Sequence, residues 1–129
     1  MSFLDTHALL GLADADAAFR PYAKDAVTGH ANLLEFHFHL TRTHDERTAT
    51  ALLSRFWRLG VAATEEDVRD ASRLRTREKR RGLSFIDALG CAMAVNRRLG
   101  FVTGDGGFAG LPGVEGPKHG TQGRTRRRG

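Results

Sequence analysis

Residues 83–106, LSFIDALGCAMAVNRRLGFVTGDG, constrain the fold more than any other stretch of the chain. Ser84 with Asp87 three residues on is a capping-box pattern, and from Phe85 to Val95 the side chains are apolar or small apart from that carboxylate. The pattern predicts a helix covered on nearly all sides, with one charge in its first turn. Arg97 and Arg98 fall in the last turn, where the helix dipole favours cations, and Gly100 is placed for a left-handed stop. Phe101-Val102-Thr103 then reads as a buried strand that ends just before Asp105. A helix start and a strand end, each with a carboxylate and one αβ step apart, meet at one edge of an open α/β sheet, where such folds place their sites.

The rest of the 129-residue chain supplies one domain around that unit. A chain this long buries about two-thirds of the surface exposed on unfolding, so its core needs no staples. Cys91 is the only cysteine and lies inside the apolar helix. An internal disulfide is thereby excluded, and a reducing cytoplasm is the expected compartment. No secretory leader is expected, and the longest apolar run, near 88–95, falls far short of the roughly 20 residues of a membrane helix. The net charge of +5 is unevenly placed: residues 1–115 hold 15 Lys and Arg against 15 Asp and Glu, whereas Lys118, Arg124, Arg126, Arg127 and Arg128 make the tail wholly basic. The expected division is a domain over 1–115 and a Gly/Arg-rich tail over 116–129. Two readings of the tail stand side by side, a phosphate-binding arm and a solvated disordered end.

Along the chain, Ser2-Phe3-Leu4 followed by Asp5-Thr6 and an apolar turn reads as strand, acidic end, helix, with Asp5 as the cap. Asp14 and Asp16 are expected to cap a second short helix through Ala17, Phe19 and Tyr22, although Pro21 limits its regularity. Residues 27–31 give a weak strand or turn signal. From Ala31 to Arg42, Asn32, Glu35, His39 and Arg42 fall on one polar stripe. Leu33, Phe36 and Leu40 flank it on one side, Leu34 and Phe38 on the other, which predicts a cleft. His37 and Thr41 point to solvent. Thr43 with Glu46 predicts a capping box for a helix over 45–59, with Ala51, Leu52, Phe56 and Leu59 inward and Gly60 as its stop. Val61-Ala62-Ala63 is a short strand candidate. Thr64-Glu65-Glu66-Asp67 starts a further helix, with Val68, Ala71 and Leu74 inward. That helix leads through Arg73, Arg75, Arg77, Lys79, Arg80 and Arg81 into the one bearing Asp87. Val114-Glu115 is a last edge strand.

Asp5, Glu35, Asp87 and Asp105 each stand at an element boundary or cleft edge with apolar neighbours. Singly, each is explained as a cap, a turn former or a surface acid. Jointly they argue for a cation, because two close carboxylates repel by about 4 kcal/mol at an effective dielectric near 20. Hard oxygen donors without Cys or His point to Mg²⁺ or Mn²⁺. His30, His37 and His44 recur every seven residues, a spacing unsuited to one zinc site, since seven helical residues span about 10 Å. No phosphate-binding Gly-Lys-Ser/Thr loop is present, Gly104-Asp105-Gly106-Gly107 lacks Rossmann spacing, and Ser84 has no evident His base.

Leu4-Asp5-Thr6, Leu34-Glu35, Leu83-Ser84-Phe85-Ile86-Asp87-Ala88 and Phe101-Val102-Thr103-Gly104-Asp105 with Phe108 together resemble the signature of PIN-domain ribonucleases, the family that includes the toxins of VapBC-type toxin–antitoxin pairs. The likeness runs in order over residues 2–115. It implies a three-layer α/β/α domain with a mainly parallel sheet and a carboxylate pocket that holds Mg²⁺ or Mn²⁺ to hydrolyse RNA. Position by position, Asp5, Glu35, Asp87 and Asp105 match the acids, and Thr6 and Thr103 match hydroxyls that brace them. Gly106-Gly107 departs from the family, where a basic or polar residue is common.

The expected function is therefore a metal-dependent endoribonuclease, the toxin of a toxin–antitoxin pair, with a non-cutting PIN-like RNA- or protein-binding module as the alternative. His39 is expected to line the cleft. Arg73, Arg75, Arg77, Arg80 and Arg81, with the tail's Arg124, Arg126, Arg127 and Arg128, are candidates for RNA backbone contacts, which position nucleic acid without reading its sequence. The expected partners are RNA, a cognate antitoxin and a second copy of the chain, with no membrane.

Overall fold

The computed structural model describes residues 1–117. Five short strands, β1 (Ser2–Leu4), β2 (Ala26–Gly29), β3 (Gly60–Val61), β4 (Gly100–Val102) and β5 (Val114–Glu115), form one sheet in the order β3-β2-β1-β4-β5. Every pairing is parallel, as expected, with Phe3 opposite both Val27 and Phe101. Five helices cover the sheet: α1 (Thr6–Ala13), α2 (His30–Thr43), α3 (Glu46–Phe56), α4 (Glu65–Arg77) and α5 (Phe85–Asn96).

Strand alternation builds the three layers. Phe3 and Phe101 face α4 and α5, where they pack with Leu74, Met93 and Phe108; Leu4 and Val102 face the opposite way, onto Leu9, Leu33, Phe36 and Phe56 of α1, α2 and α3. A Cβ on Gly90 would meet the Phe3 and Phe101 rings and Asn32 Oδ1 at 3.2–3.4 Å, so the missing side chain lets α5 lie close over the central strands. Strand order reverses between β1 and β4. The crevice beyond their carboxyl ends is the topological switch point, where open α/β sheets bind ligands.

Of the two expected capping boxes, Ser84 with Asp87 forms and Thr43 with Glu46 does not, while the helix start at Thr64 is a box as well. Thr64 and Asp67 open α4, and Ser84 and Asp87 open α5. Elsewhere tertiary packing overrides the pattern. Arg98, not Gly100, takes the left-handed turn after α5, with φ 58°; Gly100 is already in β4, where a side chain would run into the Glu115 carboxylate. Only a 3-10 turn, Arg20–Tyr22, stands where a second helix was expected, and Asp16 caps the Ala18 N–H beside it. Asp45, not Thr43, caps α3 by accepting from the Thr48 N–H, while Thr43 donates to the His39 carbonyl. On α3 itself Ala49, and not Ala51, faces the core.

The expected cleft on α2 does not form in that way. Leu33, Phe36 and Leu40 are buried, but Asn32 joins them inside while Leu34 and Phe38 face solvent. His37 is half-buried within 3.5 Å of the Thr50 hydroxyl. Two apolar flanks are symmetrical in sequence, and only the neighbouring helix decides which one is covered. Val68 and Val95 are likewise exposed, as is Phe85, at 76%. The helix α5 is thus buried along one side and not all round.

Candidate active site

Asp5 leaves the carboxyl end of β1 at the switch point and caps α1, its Oδ1 accepting from the Ala8 N–H at 2.8 Å. Its own N–H donates to the Val102 carbonyl at 3.1 Å, which fixes it between β1 and β4. The side chain is buried, with 3% exposed. Burial pushes its pKa up to about 7; hydrogen bonds from the Thr103 hydroxyl and the Ala8 N–H pull it down, and the charges of Asp87 and Asp105 push it up again. Three acids from three separate stretches of the chain therefore meet at the same crevice, where Asp87 and Asp105 act on Asp5.

Asp87 reaches the crevice because α5 runs back antiparallel to the strands, which brings its first turn to their carboxyl ends. Its Oδ2 accepts from the Ser84 N–H at 3.0 Å. Asp105 follows β4 and opens a 3-10 turn, Gly106–Phe108, with its Oδ1 accepting from the Gly107 N–H at 2.9 Å. Thr103 meets two of the three: its hydroxyl bonds to the Asp5 carboxylate, and its Oγ1 accepts from the Asp105 main-chain N–H at 2.9 Å. Thr6 serves differently. Its buried Oγ1 accepts from Asn32 Nδ2 at 3.3 Å, tying the start of α1 to α2.

Glu35 is half-buried on α2, one turn beyond Asn32 and about 60° round the helix from it. His39 is exposed, its ring edge-on to Phe38 with centroids 6.0 Å apart. Among the described residues, no three His, Cys, Asp or Glu side chains stand close enough to share one ion as they are turned. Asp5, Asp87 and Asp105 each accept from a main-chain N–H close to them in sequence. In donor chemistry the set fits a hard divalent cation, and the raised pKa of Asp5 marks a place where positive charge is favoured.

The arginines divide into two groups. Arg75 donates from Nε to the Leu83 carbonyl at 2.9 Å and lies 4.1 Å above the Phe85 ring. Arg81 turns onto carbonyls of the Asp105 loop. Arg73, paired with Asp70, and Arg77, near Glu78, stay mostly exposed, as does Arg80. Arg124, Arg126, Arg127 and Arg128 lie outside the described residues.

Two features escaped the sequence reading. Asn32 is an internal tie and not a cleft residue. Asp67 is buried and meets Arg97 through two parallel bonds, Nη1–Oδ1 3.1 Å and Nη2–Oδ2 3.0 Å, with Asn96 Nδ2 at 2.9 Å. The partners are some 30 residues apart, so only the capping box signalled Asp67. A cavity of about 330 Å³ lies between α4, α5 and Leu111, lined by Leu74, Cys91 and Val95 and by none of the four acids. Burial pushes the Cys91 thiol up to about 11, leaving it unreactive at neutral pH.

Three loops converging on the switch point of a five-stranded parallel sheet define a known arrangement. The sequence matches the PIN domain over residues 2–114, and the chain belongs to that family. Among solved structures, VapC20 of Mycobacterium tuberculosis, described as a sarcin–ricin-loop-cleaving toxin, has TM-score 0.74 and 22% identity, covering 91% of this chain and 100% of that one. A toxin–antitoxin complex from Klebsiella pneumoniae gives TM-score 0.71 at 22% identity, over 89% of this chain and 96% of that one. VapBC2 of Rickettsia felis, bound to a promoter DNA fragment, gives 0.69 at 16%, over 88% and 94%. At these identities the likeness is one of fold. No curated protein sequence matches the chain. Among the described residues, no helix is long and apolar enough to cross a membrane.

Proposed function

We propose that the protein is a metal-dependent endoribonuclease and the toxin of a toxin–antitoxin pair, active in the cytoplasm. The observation that carries this reading is the buried Asp5 at the end of β1, its ionisation opposed by burial and by Asp87 and Asp105. A cluster of acids that opposes the ionisation of a buried carboxyl costs stability, so its presence at the switch point of a PIN domain argues for a task other than folding.

Asp5, Asp87 and Asp105, with Glu35 from α2, would hold Mg²⁺ or Mn²⁺. A bound ion of this kind supplies positive charge beside the scissile phosphate and acidifies an attacking water. The chain's own residues do the rest. Thr103 keeps the Asp5 carboxylate oriented and holds the main chain of Asp105, and Asp5, with a pKa near neutrality, can hold a proton at its carboxylate when no cation is bound. Arg73, Arg77 and Arg80 offer exposed cations for RNA phosphates, the tail arginines extend that set, and His39 touches substrate from α2. A small antitoxin and a second copy of the chain are the proposed protein partners.

The test is cleavage of RNA by the purified chain across a Mn²⁺ titration. Asp5→Asn and Glu35→Gln should abolish cleavage with the fold intact, whereas His39→Ala weakens it by a smaller factor. Activity of Glu35→Gln equal to the parent's would remove Glu35 from the site. A second reading, a PIN-like module that binds RNA or protein without cutting, draws on the carboxylates turned to their caps. Cleavage that requires Mn²⁺ and disappears in Asp5→Asn decides against it.

A further inference from the structure

Asp87, in the first turn of α5, and Asp105, in the turn after β4, stand on two segments that are not strand-paired to each other. The first segment follows α4 through the 3-10 turn Lys79–Arg81, and Gly82 at φ 67° reverses the chain into Ser84, the cap of α5. The second is the turn after β4. Arg81 joins them. Its Nη1 donates to the Gly107 carbonyl at 3.1 Å and to the Ala109 carbonyl at 2.7 Å, while its Nε donates to Glu78 Oε1 at 2.6 Å. The N–H of that same Gly107 holds the Asp105 carboxylate. From the Asp105 side chain to Arg81 is thus a continuous path, and six residues further on stands Asp87.

The side chain of Arg81 is 26% exposed, against 68% for Arg73. A residue meant to meet RNA presents its guanidinium outward; this one has turned its fork onto carbonyls inside the protein. We propose that Arg81 is a positioning residue of the candidate site, fastening the loop that carries Asp105 to the turn that delivers Asp87. The proposal rests on the nuclease reading for its catalytic consequence, but the fastening itself is independent of it. Glu78 aims the guanidinium, and the rigid fork, which an ammonium lacks, allows one group to serve the acid and both carbonyls.

The experiment compares Arg81→Met, Arg81→Lys and, as a neighbouring exposed control, Arg80→Met in the full chain. Amide hydrogen exchange is read at Gly107 and, for reference, at Ala8. Mn²⁺ affinity is taken by titration calorimetry with the metal alone, and kcat and KM from RNA cleavage. Arg81→Met should speed exchange at Gly107 and not at Ala8, and weaken Mn²⁺ binding by about 10- to 100-fold, the usual effect of removing a group that orients a ligand. The kcat should fall while KM moves little, Arg81→Lys should recover only part, and Arg80→Met should change neither metal affinity nor exchange. If Arg81→Met folds poorly, Glu78→Gln, which removes the charge that aims the guanidinium without deleting the fork, should shift the same readouts in the same direction by less. A rise in KM alone, with Gly107 exchange and Mn²⁺ affinity unchanged, would make Arg81 an RNA contact and overturn the proposal. A parent chain that neither binds Mn²⁺ nor cuts RNA defeats the nuclease reading, and Gly107 exchange then decides the fastening by itself.

Discussion

Two aspartates are buried almost equally, Asp67 at 1% exposure and Asp5 at 3%, and the protein treats them in opposite ways. Both cap helices. Burial pushes the pKa of Asp67 up, but Arg97, the Thr64 N–H and Asn96 outweigh it and hold the carboxyl below the usual range. Asp5 also has a backbone N–H and a hydroxyl, yet burial, with a smaller push from two nearby acids, outweighs them and raises its pKa to about 7. One end of the molecule supplies an arginine to a buried charge and gains a clamp between α4 and α5. The strand-end crevice gathers acids instead, which is an arrangement that folding alone does not favour.

The contrast breaks most severely if the arginine is removed. Arg97→Ala leaves Asp67 buried without its cation and should cost about 3–5 kcal/mol in chemical denaturation at neutral pH. A loss near zero would mean that Asp67 is compensated by its hydrogen bonds alone.

The second way to sharpen it is through pH. The folded pKa of Asp5 lies above its unfolded value, so between pH of about 4 and 7 the native state keeps a proton that the unfolded chain has released. The stability from this group therefore falls as pH rises through that window, by a few kcal/mol, and levels off above it. Asp67 has the opposite sign, contributing stability above the ordinary carboxylate range that is lost as pH falls below it. Denaturant titrations from pH 4 to 8 should show Asp5→Asn flattening the decline seen in the parent. Parallel curves for the two proteins would contradict the assignment.

Metal gives the smaller effect. Mn²⁺ at about 100 times its dissociation constant should stabilise the native state by about 2.7 kcal/mol, seen as a higher Tm, and Asp87→Asn should shrink that rise. An unchanged Tm in millimolar Mn²⁺ argues against a shared carboxylate pocket.

Much of this was legible in sequence because it is local. The steps from β1 through Asp5 to α1, from Ser84 to Asp87 and from Thr103 to Asp105 are each decided within three or four residues by capping and strand chemistry. What was hidden depends on partners far apart in the chain. Periodicity gives α2 two equivalent apolar flanks, and packing against α3 buries Phe36 on Phe56 while Phe38 stays outside. Arg81 reads as one cation in a basic run, and only the approach of a loop 26 residues away turns it inward. Gly100 reads as a helix stop, whereas its lack of a side chain serves the close approach of β4 to Glu115, and the left-handed turn falls at Arg98.

The central claim, that ionisation of Asp5 is opposed first by burial and further by Asp87 and Asp105 and that the group is poised for a cation, is tested most directly by following its carboxyl carbon by NMR through a pH titration. The account predicts a midpoint near 7 in the parent chain, a lower midpoint in Asp87→Asn, and a fall toward the ordinary carboxylate range when Mg²⁺ is added. A midpoint near 4 in the metal-free parent, unmoved by Asp87→Asn and by Mg²⁺, would contradict it.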